Sequence, residues 1–355
     1  MDILQELWVA QVESLSNILG TKQTLDLLTP FFERMGDSGT LQLMKNMGVN
    51  GKEIQDVAKI HSVMVPPNVV ALKTTNVHED GLHYIIEGDC PFKDAPREIC
   101  ILHDQATTKG SLEAFGLEGI YEFVMDFDHP RTYCKSENYL TKKGQGPPTG
   151  KILCSYSTED LRARHGQDWF DDLSIQYKAE FVVQTTNMAI EELGAESAKS
   201  VLLKAAKQVG GRIGARWRNE GTLNDFSVTG IKDLVEFLGQ AMKQDSLIKE
   251  CGEKEWTREV RSCPFSYSSQ VLCAQLETLV SQLCFELFPG SSYEMSEMIT
   301  RGDPLCLGRI ITSNPGQQST TPYNEHLKAL KLRLAKGEIT EQDYFRLKKL
   351  ILEDE

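Results

Sequence analysis

Two long stretches of the chain repeat apolar residues at the spacing of a helix that buries one face. The first runs from Leu7-Trp8-Val9 to Met35, carries Leu15, Ile18, Leu25, Leu27, Leu28 and Phe31, and breaks at Gly20-Thr21-Lys22. The second runs from Tyr177 to Trp217, breaks at Leu193-Gly194-Ala195, and continues through Ala198, Val201, Leu202, Ala205 and Val209. Recurrence every three to four residues marks an amphipathic helix, and the breaks divide each stretch in two. Further along, residues 82–87 and 256–260 have the character of strands.

The strand-like segments lead into a motif that occurs twice. Cys90-Pro91-Phe92 is followed by Cys100 and Cys134, and Cys263-Pro264-Phe265 by Cys273 and Cys306. Both copies read C-P-F-x7-C, and the third cysteine follows after 33 residues in one and 32 in the other. The same offset of 173 residues pairs Asp104 with Glu277, Glu113 with Glu286 and Phe115 with Phe288. Self-similarity of this kind predicts a duplicated unit. Each copy is expected to run helix, helix, helix, strand, CPF, helix, strand.

The predicted fold class is therefore α+β. Two tandem repeats, each a helical layer on a small antiparallel sheet, are expected over 1–140 and 167–311 and to pack as a pseudo-dimer. A Gly- and Pro-rich stretch, residues 141–150, opens a linker taken to span 141–166, of which 151–166 has no assigned structure. A second linker covers 312–324. Residues 325–355 form a helical hairpin, with Leu327, Leu330, Leu332 and Leu334 before the Gly337 turn and Tyr344, Phe345, Leu347, Leu350 and Ile351 after Thr340. So short a hairpin buries little area alone and calls for a protein partner or self-association.

Charge narrows the classes of function. The 38 Lys and Arg against 51 Asp and Glu leave a net charge of −13, which disfavours nucleic acid and anionic membrane surfaces as partners. No apolar run approaches the roughly 18 residues of a membrane span, and Met1-Asp2-Ile3-Leu4-Gln5-Glu6 does not open a signal peptide. A cytoplasmic setting is expected. The nine cysteines are an odd number, which fits thiols better than a disulfide framework.

Some of these residues also carry resemblances. The tail, from Glu325-His326-Leu327 through Gly337-Glu338-Ile339-Thr340 to Tyr344 and Lys348-Lys349-Leu350, resembles the short C-terminal SHOCT domain, which implies an interaction module and no chemistry. The repeats resemble L-2-amino-thiazoline-4-carboxylate hydrolase-like domains and the related vinyl-reductase-type sensor domains. The second copy matches on Glu192-Leu193-Gly194-Ala195-Glu196, Cys263-Pro264-Phe265 and Arg301-Gly302-Asp303-Pro304-Leu305-Cys306. The first departs from the pattern at Asp128-His129-Pro130-Arg131-Thr132-Tyr133-Cys134. The resemblance implies small-molecule binding, a structural zinc in some relatives, or hydrolysis of a cyclic C–N bond.

Three thiolates need a fourth ligand to close a tetrahedral zinc site. In the first copy the set would be Cys90, Cys100 and Cys134 with His103 or Asp104; in the second, Cys263, Cys273 and Cys306 with Glu277. Asp104 and Glu277 each lie four residues after a cysteine, on one helical face. An iron–sulfur cluster, a reactive thiol and plain buried thiols are the competing explanations. Gly210-Gly211-Arg212-Ile213-Gly214 resembles part of a phosphate loop, but its helical setting favours close helix packing. Two function classes stand open. One is a small-molecule-binding or sensor-type protein for an anionic or sulfur-containing metabolite. The other is a hydrolase of a small thiazoline-type carboxylate, active in the second repeat, with Cys273 as nucleophile or Glu277 as base.

Overall fold

The computed structural model describes residues 3–50, 53–64, 72–89, 96–126, 133–220, 228–252 and 255–312. The predicted hairpin at 325–355 and the linker before it beyond Thr312 lie outside these residues.

The first half opens with α1 (Ile3–Leu19) and α2 (Thr21–Met47), separated at Gly20, whose φ of 85° ends the first helix where the sequence predicts. Then follow α3 (Ile54–Met64), β1 (Leu72–His78), β2 (Gly81–Asp89), α4 (Arg97–Ala114), β3 (Tyr121–Asp126) and β4 (Tyr133–Lys142). After β5 (Ile152–Ser157) and the short α5 (Thr158–His165), the order resumes. It runs α6 (Gln167–Leu193), α7 (Ala195–Glu220), α8 (Val228–Ala241), β6 (Asp245–Gly252), β7 (Glu255–Ser262), α9 (Gln270–Leu287), β8 (Ser291–Glu297) and β9 (Cys306–Thr312). Gly194, at φ 76°, makes the second predicted break, between α6 and α7.

The chain is mixed helix and antiparallel sheet, as the sequence predicts, but the first half has three strands more than the pattern shows and the second two more. One sheet has the order β3-β4-β2-β1-β5 and the other β8-β9-β7-β6. Apart from β5, the two orders correspond strand for strand. The expected first linker is in part strand. β4 continues to Lys142, and β5 pairs with β1, Thr75 opposite Tyr156. The turn between them is held by Asp80, whose carboxylate accepts the N–H groups of Thr149 at 2.9 Å and Gly150 at 3.0 Å. Those bonds, led by Thr149, hold the Asp80 carboxyl below its usual range.

Glycine sets the spacing of the helices that back each sheet. A Cβ on Gly36 of α2 would overlap the Thr107 carbonyl of α4, and one on Gly110 of α4 would overlap the Glu33 carbonyl of α2. In the second half Gly210 and Gly214 of α7 lie against Leu279 and Glu286 of α9, less tightly, a Cβ there meeting the Leu279 carbonyl at 2.7 Å and the Glu286 side chain at 2.6 Å. The glycine-rich segment is thus a helix-packing device, as its setting in the sequence suggests.

The halves share a core. Trp8, Phe31 and Phe32 of the first half join Phe181 of the second, the Trp8 and Phe181 rings lying 4.6 Å apart. Trp8 Nε1 donates to Thr185 Oγ1 at 3.0 Å. The buried Gln11 amide donates to Thr186 Oγ1 at 3.0 Å and Gln275 Oε1 at 2.8 Å. No helix among the described residues is long and apolar enough to cross a membrane.

Candidate functional site

Alternation along β2 turns Leu82, Tyr84 and Ile86 toward the helices and leaves His83 and Ile85 less buried. Pairing places Thr75 of β1, Tyr84 of β2 and Asn138 of β4 in one row across the sheet. All three are buried, and each carries a polar side chain. A core row of this kind is built only where hydrogen bonds compensate for burial.

The compensation is incomplete. Tyr84 Oη bonds His61 Nδ1 at 2.9 Å, and the two rings stack. His61 Nε2 bonds Ser111 Oγ at 2.9 Å, and Thr40 Oγ1 donates to the same oxygen at 2.9 Å. Asn138 is wholly buried and donates from Nδ2 to Ser136 Oγ at 3.0 Å, yet its Oδ1 has no hydrogen-bond partner. Thr75 Oγ1 is likewise buried without a partner.

His61, Tyr84 and Asn138 border a cavity of about 40 Å³ between α3, α4 and the sheet. Its wall includes His61, Tyr84, Phe123, Asn138, His103 and Asp104. His103 Nδ1 lies 3.0 Å from Asp104 Oδ1 and Nε2 lies 3.3 Å from the Tyr177 hydroxyl; with the ring proton on Nδ1, toward the carboxylate, Nε2 accepts from Tyr177. Tyr177 belongs to α6 of the second half. Burial pushes both tyrosine hydroxyls, Tyr84 and Tyr177, well up from their ordinary value, so they stay protonated at neutral pH.

Tyr177 also lines a second, larger space. A groove of about 770 Å³ runs between α2 and α6 to the turn after β7, past Phe31, Arg34, Met35, Glu180 and Tyr267. The Tyr267 hydroxyl donates to Glu180 Oε2 at 2.8 Å across its floor. One aromatic side chain therefore stands between an outer groove and an inner polar cavity.

The second half fills the corresponding place differently. Its row is Ile248, Arg258 and Gly308. Arg258, 3% exposed, sends its guanidinium to Gln244 Oε1 at 2.6 Å and toward Tyr293 Oη at 3.4 Å. The Tyr293 ring lies over Gly308, where any Cβ would meet its hydroxyl at 2.6 Å. Arg258 and Tyr293 fill this row with large side chains.

The predicted cysteine sites have mixed outcomes. In the first half, the side chains of Cys90 and Cys134 lie outside the described residues, and Cys100 is buried in the shared core. His103 and Asp104 face the cavity. In the second half Cys263, Cys273 and Cys306 do converge, in a small cluster with Val260 and Met298. Each sulfur has a partner of its own. Gln244 Nε2 donates to Cys263 at 3.3 Å, Thr300 Oγ1 lies 3.1 Å from Cys273, and the Ile299 N–H donates to Cys306 at 3.3 Å. Glu277, the expected fourth ligand or base, accepts the Met295 N–H at 2.8 Å beside a bulge in β8. Among the described residues no group of three Cys, His, Asp or Glu is gathered as a metal ion requires. As placed, the trio does not fit zinc or an iron–sulfur cluster. Burial pushes the Cys273 thiol up to about 11 and raises Cys263 as well, the opposite of what a nucleophile needs.

Sequence reasoning missed Tyr84, Asn138, His61 and Tyr177. The signal for Tyr84 was available, since a tyrosine at an inward strand position between Leu82 and Ile86 marks a polar group carried into the core.

No protein-family profile matches the chain, and no curated protein or solved structure is significantly similar to it.

Proposed function

We propose that the protein binds a small molecule in the polar cavity of its first half, which the ligand reaches from the groove past Tyr177. The observation that carries this is Asn138, a wholly buried residue of the cavity wall whose side-chain oxygen bonds to nothing. A partnerless buried amide costs roughly 1–3 kcal/mol, a penalty a ligand would remove. The groove is of the size in which small ligands are held, and the inner cavity supplies convergent polar groups. The sequence pointed to the second copy as the competent one. The occupied space around Arg258 and Tyr293 favours the first. No observation favours the hydrolase reading, because Cys273 is protonated and Glu277 is engaged with backbone.

A cytoplasmic setting belongs to the same proposal. It is supported by Cys154, Cys263, Cys273, Cys284 and Cys306, none of which is in a disulfide.

The test couples binding to stability. Asn138→Leu removes the partnerless atom and fills space. The substitution is expected to abolish binding of small fragments, read by saturation-transfer NMR on the full chain, while holding or raising the melting temperature. Loss of several degrees of melting temperature with fragment binding intact would make Asn138 a structural residue and end the assignment.

A further inference from the structure

The cavity walls limit what can enter. This inference rests on the cavity being a binding site and concerns the chemical class of its occupant. Room of about 40 Å³ holds a group of roughly three to four non-hydrogen atoms, since one water needs roughly 10–15 Å³ on the same measure. Tyr84, Phe123 and Tyr177 give the wall aromatic surface, which suits a planar group.

Hydrogen-bond polarity is set by the two chains that end there. With the His103 ring proton on Nδ1, toward Asp104, Nε2 takes the proton of Tyr177 and the Tyr177 oxygen presents lone pairs. Asp104 is a carboxylate at the wall, and its side chain keeps about a quarter of its surface exposed (23%). No Lys or Arg is among the described residues lining the cavity. An anion would meet Asp104 and these lone pairs with no Lys or Arg of the described lining to compensate, in a medium that strengthens the repulsion. The Asn138 amide adds a further constraint. As placed, its Nδ2 meets Ser136 and its Oδ1 is left to accept, so a group presenting N–H satisfies it.

We infer that the cavity selects a small planar N–H donor of the amide or amidine class and rejects carboxylates. This reverses the anionic ligand that the sequence suggests.

Acetamidinium, acetamide and acetate share one shape and carry charges of +1, 0 and −1, so they test the inference directly. Each is titrated calorimetrically into the full-length protein at neutral pH and fixed ionic strength. Acetamidinium and acetamide are expected to saturate, with acetate at least tenfold weaker. Asp104→Asn should narrow the gap, and Asn138→Leu should abolish all binding. If Asp104→Asn does not fold, Tyr177→Phe serves in its place. It keeps the ring, removes the lone pairs, and should weaken acetamidinium several-fold. Acetate binding as tightly as the other two, and lost in Asn138→Leu, would overturn the class and keep the cavity as a binding site. Silence from all three probes, while fragments sensitive to Asn138→Leu still bind, would also overturn the class alone. Silence from both probes and fragments would remove the class and the site together.

Discussion

A thiol sealed from water is held in its neutral form, and Cys273 shows the consequence. Burial raises it from an ordinary value near 9 to about 11. Its folded value is therefore above its unfolded one. The stability this provides is complete below about pH 9 and is lost as pH rises toward 11, by up to about 1.4 kcal/mol per pH unit. In the native protein, alkylation of Cys273 by iodoacetamide should be slow at pH 7.5 and rise about tenfold per pH unit toward 11. Rapid modification of Cys273 at pH 7.5, followed by peptide mass spectrometry, would show a thiolate that this surrounding does not support. The convergence of Cys263, Cys273 and Cys306 could be read from their repeated spacing. Their state could not, because the partners Gln244, Ile299 and Thr300 come from segments that no spacing rule connects to them.

At the scale of elements, the long helices and their breaks were legible, because apolar periodicity and a glycine at each break leave local marks. β2 and β7 were legible for the same reason. β1 was not, since Leu-Lys-Thr-Thr-Asn-Val-His has almost no apolar alternation and gains its place by pairing with β2. β5 was hidden because it forms a sheet edge, with Ile152 and Leu153 about half exposed behind a Gly- and Pro-rich turn. The glycines of the helix pairs make a prediction with opposite signs. Alanine is the better helix former by about 1 kcal/mol. At Gly211, where an added Cβ meets nothing, Gly211→Ala should raise stability by roughly 0.5–1 kcal/mol. At Gly110, where it would strike the Glu33 carbonyl, Gly110→Ala should lower stability by about 1–3 kcal/mol as α2 and α4 are forced apart. Urea denaturation of the two variants distinguishes them, and equal shifts would show that the helices do not touch at Gly110.

Across the whole molecule, α1 and α6 lock the halves into one core through Trp8, Gln11, Phe181, Thr185 and Thr186. Unfolding should therefore be a single transition. Trp8→Ala should cost about 3–5 kcal/mol and destabilise both sheets alike. Hydrogen exchange in peptides from β2 and β7, followed through a urea series, should show protection lost together. Separate midpoints would make the halves independent bodies. The strand orders of the two sheets correspond apart from β5. The cavity was beyond the reach of sequence, because its wall is assembled from register partners and from Tyr177, which lies far from Tyr84 and Asn138 along the chain.

That borrowed tyrosine limits how the protein can be divided. A fragment ending near residue 160 would retain its entire sheet and still lack Tyr177, one side of the cavity, together with the partners of Trp8 and Gln11 on α6. On the binding role proposed above, both halves have to travel in one chain or meet again as partners.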